Sequence, residues 1–401
     1  MAAPTIPISS SAPISAPASL GRNTARDLDW ILLLLVAAIA LWGCVTIWSA
    51  TRTGEDVLLT ATRAGQVPRA SSDALKQAVW ILAGGAAIAL LAATDYQFLM
   101  HLQGWIYTAN LALLGLVLVV GNVVNGARSW IPVGPFSLQP AEFCKVAVII
   151  CLAAFLCRRQ EKIRSFATLM WSLAYIAPPV LLILRQPDFG TMLSILAIWF
   201  GMLFFGGARL RHLTLISVVG LALFAGAWKG GILKDHQKTR LAVFLDRNPS
   251  REAMKAGGYQ IEQSQIAIGA GQVTGQGWGK GMQNRSHFVP ENSTDFIFTV
   301  VAEELGFVGG GLLIALYLLL LFRAASTAMT TDNYFGVLIA GGFTALISFH
   351  CIINLGMTMR VMPITGVPLP FFSYGGSSFI AFSMCVGLLQ SIALRRRRGG
   401  I

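Results

Sequence analysis

A helix that crosses a bilayer needs about 20 consecutive apolar residues. This chain offers ten runs near that length, at 28–50, 75–93, 104–124, 141–157, 169–186, 189–206, 212–228, 305–322, 335–357 and 376–394. No other feature limits the fold so severely. In hydrocarbon every backbone N–H and C=O has to be satisfied within the segment, so runs of this kind form helices. The expected fold class is therefore an all-α integral membrane protein of ten transmembrane helices, with both termini inside and a long structured extracellular loop at 229–295. Composition agrees: 55% of residues are hydrophobic and only 12% charged, with a mean hydropathy of +0.65. That balance excludes an ordinary soluble domain.

The formal charge of +12 suggests nucleic acid at first sight, but the lysines and arginines are strewn through the loops between apolar runs. Orientation in a membrane and contact with headgroups demand that placement, and no nucleic-acid partner is expected. Arg22, Arg26, Arg158, Arg159, Lys162, Arg164, Arg209, Arg211, Arg323 and Arg395 to Arg398 fall on the side of the N-terminus. They outnumber the cations in the short loops opposite, which favours N-in, C-in. The loops at 125–140, 185–189, 229–295 and 358–375 then share the external face. Residues 1–27, rich in Ala, Pro and Ser, read as a disordered cytoplasmic tail. Residues 28–394 form one membrane domain, and 395–401 a basic cytoplasmic tail. The first apolar run lacks a convincing cleavage site, so no signal peptide is expected. The six cysteines lie in or beside apolar runs and the five histidines are scattered, so neither suggests a metal or disulfide framework.

The stretch Asn284 to Gly306, NRSHFVPENSTDFIFTVVAEELG, passes from a polar loop into an apolar helix. Ser293 or Thr294 is expected to cap that helix, with Asp295 in its first turn. Asp295 has two readings, an interfacial capping acid and a positioned base. Helical rise puts Arg323 about 42 Å from Asp295, longer than the hydrocarbon. Glu303 and Glu304 then sit near the interface, as structural hydrogen-bonding groups. In QPAEFCK (139–145), Pro140 suits a first helical turn, and Glu142 and Lys145 at i, i+3 share a helix face and pair. Arg128 meets a headgroup or a substrate. In QPDFGT (186–191), Asp188 is a cap first and a site residue second. GAGQVTGQGWGKG (269–281) is not a P-loop, since Lys280 is followed by glycine; it is a hinge or a backbone approach to a sugar or pyrophosphate. Ser377 and Ser378 are expected to cap the last helix.

PENSTDFIF, AEELGFVG, GVPLPFFSYGGSS, NGARSWI, QPAEFCK and QPDFGT, taken in their order along the chain, resemble the SEDS family of polytopic membrane proteins (shape, elongation, division and sporulation). GVPLP, AEELG and GGYQIEQSQIAIGAG are similar to its elongation branch. The resemblance implies a peptidoglycan glycosyltransferase of the bacterial inner (cytoplasmic) membrane that polymerises lipid II. Its implied partner is a class B penicillin-binding protein, a transpeptidase that crosslinks the product. Read onto this chain, it makes Asp295 the general base and Glu291 the reserve acid or base. Arg128 and Lys145, with a divalent cation (Mg or Mn), would neutralise the pyrophosphate, and Glu142 and Asp188 would border the substrate. A lipid II flippase and a non-catalytic scaffold of cell-wall synthesis remain as alternatives.

Overall fold

The computed structural model describes residues 27–51, 69–124, 127–134, 136–229, 258–286 and 288–396. Residues 1–26 of the tail expected at 1–27, the stretch 230–257 of the long loop and the end of the basic tail from 397 onward lie outside the described residues. The helices in chain order are α1 (Trp30–Ala50), α2 (Arg69–Ala93), α3 (Phe98–Val120), α4 (Pro140–Cys157), α5 (Phe166–Arg185), α6 (Phe189–Phe205), α7 (Leu210–Lys229), α8 (Tyr259–Gly271), α9 (Met282–Arg285), α10 (Ile297–Thr330), α11 (Tyr334–Thr358) and α12 (Gly376–Leu394). Among the described residues, eight helices are long and apolar enough to cross a membrane. The other two expected spans are occupied by shorter apolar helices, Phe189–Phe205 and Leu210–Ala222.

Helix α4 is the axis of the bundle and touches α3, α5, α6, α11 and α12. Beyond the turn that carries Glu142 and Lys145 its sequence is apolar, and most of it is buried. Between apolar helices in lipid, close packing replaces the hydrophobic drive, and small residues permit it. Gly201 of α6 lies against Ala345 of α11, and Gly84 of α2 against Ser383 and Phe379 of α12. A side chain at either glycine would force the pair apart.

One end of the bundle is locked by Asp29. Its Oδ1 accepts from the Leu32 amide at 3.0 Å and caps α1, while its Oδ2 pairs with Arg323 of α10 at 2.7 Å. Gln390 of α12 closes the knot, accepting from the Asp29 amide and donating to its carbonyl, both at 2.9 Å. The start of α1 is thus tied to the later turns of α10 and α12, helices distant in sequence.

The opposite end carries the irregular structure. Helix α3 stops at Val120 because Gly121 turns the chain into extended backbone (φ −65°, ψ 145°). There follows a small antiparallel sheet of β1 (Asn122–Val124), β2 (Ala127–Val133) and β3 (Phe136–Leu138), in the order β1-β2-β3. Val133 pairs with Phe136 and Ile131 with Leu138. The loop expected at 125–140 thus carries β2 and β3. The β-branched and aromatic residues of VVNGARSWIPV favour strands, but next to a transmembrane run they register only as its apolar margin.

Helix α10 is broken at Gly306, whose φ of 67° and ψ of −160° suit a residue without Cβ. The glycine-rich stretch 269–281 supplies the hydrogen bonds that the break removes. The carbonyls of Glu303 and Glu304 accept from the amides of Gln276 and Gly277, each at 3.0 Å. The amides of Phe307 and Val308 donate to the carbonyls of Gln272 and Val273 at 2.8 and 3.2 Å. In this structure the glycine-rich stretch is therefore a splint, with Gly271 and Gly275 pressed against the backbone of α10.

Candidate active site

At the irregular end, the four separated loops are bonded to one another. Gln139, just before α4, donates from its amide to Ser377 Oγ of α12 at 3.0 Å and from Nε2 to Asp188 Oδ2 at 3.2 Å. Gly190 packs on the carbonyl of Thr365. The Tyr374 amide donates to the Ser293 carbonyl at 2.9 Å, and Ser373 Oγ donates to the Thr294 carbonyl at 2.6 Å. Ser377 is thus spent on the start of α4. Helix α12 begins with Gly375 at its N-cap and no side-chain cap, contrary to the capping role expected of Ser377 and Ser378.

Asp295 lies on the turn before α10, outside its first helical turn. The helix starts at Ile297 with Phe296 at the N-cap, and no side chain caps it. Neither Ser293 nor Thr294 does so, because residues 291–296 fold back on themselves. The amides of Thr294 and Phe296 both donate to the Glu291 carbonyl, at 3.2 and 3.1 Å. Asp295 is half-buried, and its carboxylate faces Gly366, whose φ of 69° again requires glycine.

Two residues of α11 hold this arrangement. Asn354 Nδ2 donates to the Asp295 carbonyl at 2.9 Å and to the Val367 carbonyl at 2.8 Å. One turn earlier on the same face, His350 Nδ1 meets the Pro368 carbonyl at 3.0 Å. Its Nε2 lies 3.4 Å from Lys145 Nζ and 3.2 Å from Ser194 Oγ. Lys145 in turn contacts both oxygens of Glu142, at 2.9 and 2.8 Å, and its side chain is 1% exposed. The expected i, i+3 pair is therefore present and buried. Glu142 Oε1 and His350 Nε2 take two of the ammonium's three donors, while Glu142 Oε2 makes the ion contact without a hydrogen bond.

Asp188 is the cap of α6, accepting from the Thr191 amide at 3.0 Å and the Thr191 hydroxyl at 2.8 Å. Burial pushes its carboxyl above the usual carboxylate range; the two Thr191 hydrogen bonds oppose that rise, and Glu142 adds to it. Arg128 is exposed on β2 and donates to the Leu118 carbonyl at the end of α3, 3.3 Å away. Glu291 is exposed and accepts from Thr294 Oγ1 at 2.9 Å. Glu303 accepts from the amides of Gln283 and Asn284 at 2.8 and 3.1 Å. Glu304 accepts from Ser49 Oγ at 2.6 Å and Asn284 Nδ2 at 3.2 Å. Both glutamates thus have the structural role expected of them.

Among the described residues, no three His, Cys, Asp or Glu side chains gather as a metal would require. The donor set does not make a protein cage for a divalent cation.

His350, Asn354, Asn284 and Asn292 were passed over in the sequence. Asn292 donates to Asn284 Oδ1 at 2.7 Å and to the Ala50 carbonyl at 3.2 Å, fastening the loop to the end of α1. The available signal was polarity inside an apolar run: His350 and Asn354 stand four residues apart in a helix that is otherwise apolar or small.

The model of the FTSW_RODA_SPOVE family of cell cycle proteins matches residues 29–398. The chain belongs to this family. It is 33% identical to the peptidoglycan glycosyltransferase RodA of Treponema pallidum, over 92% of this chain and 98% of that one. It is 34% identical to the peptidoglycan glycosyltransferase MrdB of Escherichia coli K12, over 92% and 94%. Among solved structures, it is similar to one described as "Structural coordination of polymerization and crosslinking by a peptidoglycan synthase complex". That match has a TM-score of 0.74 at 33% identity and covers 92% of this chain and 99% of the other. The rod shape determining protein RodA of Thermus thermophilus aligns with a TM-score of 0.64 at 30% identity, over 92% and 98%. The family is the one that the spaced motifs resembled, and with its apolar helices the chain is a multi-pass membrane protein.

Proposed function

We propose that this chain is a RodA-type peptidoglycan glycosyltransferase that polymerises lipid II during cell elongation. The observation that carries the reading is the convergence of Asp295, Gly366 and Asn354 at one end of a membrane bundle. Transfer of the growing glycan from its undecaprenyl pyrophosphate to a hydroxyl of the incoming sugar forms one C–O bond and breaks another at the same anomeric carbon. Pyrophosphate departs without a protein acid, unlike the leaving group in glycoside hydrolysis with its two carboxylates. One base is required to take the proton of the attacking hydroxyl. Asp295 holds that position, on a turn whose carbonyl is pinned by Asn354. A single direct displacement inverts the anomeric carbon.

Arg128 and Arg185, both exposed at this end, are two cations among the described residues that can meet the departing charge. Lys145 serves from behind, through its ion pair with Glu142. Mg²⁺ takes most of its ligands from substrate phosphates and water, so a divalent cation would enter with the diphosphate; no step here depends on it. The site end faces outward from the cytoplasmic membrane, following the distribution of Lys and Arg. A class B penicillin-binding protein is the proposed partner, supported by the likeness to a structure described as a synthase complex.

The test is polymerisation of purified lipid II in detergent by wild-type protein and Asp295→Asn, alone and with the partner. Detergent abolishes compartments, so a flippase has nothing to transport while an enzyme still makes polymer. Loss of the base lowers the rate by about 10²–10⁴-fold. An Asn variant at the wild-type rate refutes the assignment.

A further inference from the structure

We infer that His350 is a positioning residue that ties the buried Glu142–Lys145 pair to the loop facing Asp295, by holding the Pro368 carbonyl from one ring nitrogen and Lys145 from the other. The inference rests on the reading of Asp295 as base and adds the device that sets its opposing wall.

The tautomer follows from the neighbours. The Pro368 carbonyl only accepts, so the nitrogen 3.0 Å from it, Nδ1, carries the proton. Lys145 only donates, so Nε2, 3.4 Å from its ammonium, presents a lone pair. The Ser194 hydroxyl donates to the Gly190 carbonyl at 2.8 Å and stands 3.2 Å from Nε2, so it does not require a proton there. The reverse tautomer would set N–H against ammonium on one side and a lone pair against a carbonyl on the other. His350 is fully buried and neutral in this arrangement, and a chain of donors in a dry site polarises in one direction.

The loop needs such a holder. Residues 363–369 have no regular secondary structure, and Pro368 brings no N–H of its own. The consecutive carbonyls of Val367 and Pro368 are taken by Asn354 and His350, four residues apart on one helix face. Gly366, which faces the Asp295 carboxylate, immediately precedes this pinned pair. Letting go of Pro368 would leave the Val367 carbonyl, held by Asn354, as the single pin of this pair beside Gly366.

The experiment compares His350→Leu, His350→Asn and Asp295→Asn in the full chain with wild type. It reads hydrogen exchange of the 363–374 peptide and the kcat and KM of lipid II polymerisation. An Asn amide reaches the place of Nδ1 and still donates to Pro368; Leu fills the space and donates nothing. The expected result for His350→Leu is faster exchange in 363–374 and kcat lower by about 10²-fold, with KM within about threefold, since small misplacement costs rate rather than binding. His350→Asn recovers slow exchange and most of kcat. Equal behaviour of the Leu and Asn variants, or a Leu variant equal to wild type, overturns the inference. Should His350→Leu fail to fold, His350→Gln replaces it: its amide reaches toward Nε2, and it has to rank below His350→Asn. Hydrogen exchange keeps the two readings apart. An active Asp295→Asn with a loosened loop in His350→Leu defeats the base and leaves the positioning role standing; the converse result defeats the positioning role alone.

Discussion

A methyl group built on Gly366 would lie 3.4 Å from Asp295 Oδ2, in backbone with φ of 69°. A side chain at 366 would therefore stand in van der Waals contact with the carboxylate. Gly366→Ala is expected to lower lipid II polymerisation at least tenfold, because the backbone resists this conformation by about 1–2 kcal/mol and the methyl narrows the approach to the base. Membrane insertion and detergent-extracted yield stay near wild type. Initial rates with the amount of folded protein normalised would check this; an undiminished rate would mean that substrate does not pass Gly366.

The Glu142–Lys145 pair predicts a double-mutant pattern. Removing either partner leaves a buried charge uncompensated, at a cost of about 3–5 kcal/mol. Glu142→Ala and Lys145→Ala each lower the thermal midpoint sharply, and the double variant loses less than the sum. If Lys145 instead binds pyrophosphate in turnover, Glu142→Ala is mild and Lys145→Ala abolishes activity. Thermal unfolding and polymerisation on all four proteins separate these outcomes.

Asp188 predicts a pH dependence. Its carboxyl is held above the usual range by burial, so the folded protein binds that proton more tightly than the unfolded chain does. The stability this contributes is complete below the ordinary carboxylate range and is lost as pH rises through the raised folded value. Asp188→Asn does not titrate and has no such slope. The midpoint of Asp188→Asn minus that of wild type should become more positive between about pH 4 and about pH 7. A flat or falling difference contradicts the dominance of burial.

Orientation is open to chemical labelling. Cysteines placed at the exposed positions Met282 and Gly134 should react with a membrane-impermeant thiol reagent added to intact cells, and one at the exposed Glu161 should not. Wild type, whose own cysteines lie in or beside the helices, gives the background. Labelling at 161 without labelling at 282 reverses the topology.

The helices were legible because hydrocarbon leaves an apolar run of this length only one way to fold, and the Glu142–Lys145 contact because i, i+3 spacing on a helix is a geometric rule. Asp295 could be singled out, but its place could not. Helical periodicity says nothing about a turn that spends two amides on the Glu291 carbonyl, so the helix start was set too early. The small sheet at 122–138 and the splint across Gly306 depend on partners far away in sequence or on backbone dihedrals. His350 was hidden for a different reason. Its function in the fold is defined by Lys145, Ser194 and Pro368 on three other segments, and a lone histidine in an apolar run does not name its neighbours.

The splint across the break in α10 also bears on the order in which the protein is made. Residues 272–277 leave the ribosome before the helix whose open bonds they close. The helix broken at Gly306 turns four backbone groups, the Glu303 and Glu304 carbonyls and the Phe307 and Val308 amides, toward this loop. The preceding loop must dock against it before that end of the helix is at rest in the bilayer. The turn bearing Asp295 adjoins the repaired half, so the docking of this loop bears directly on the part that holds the base.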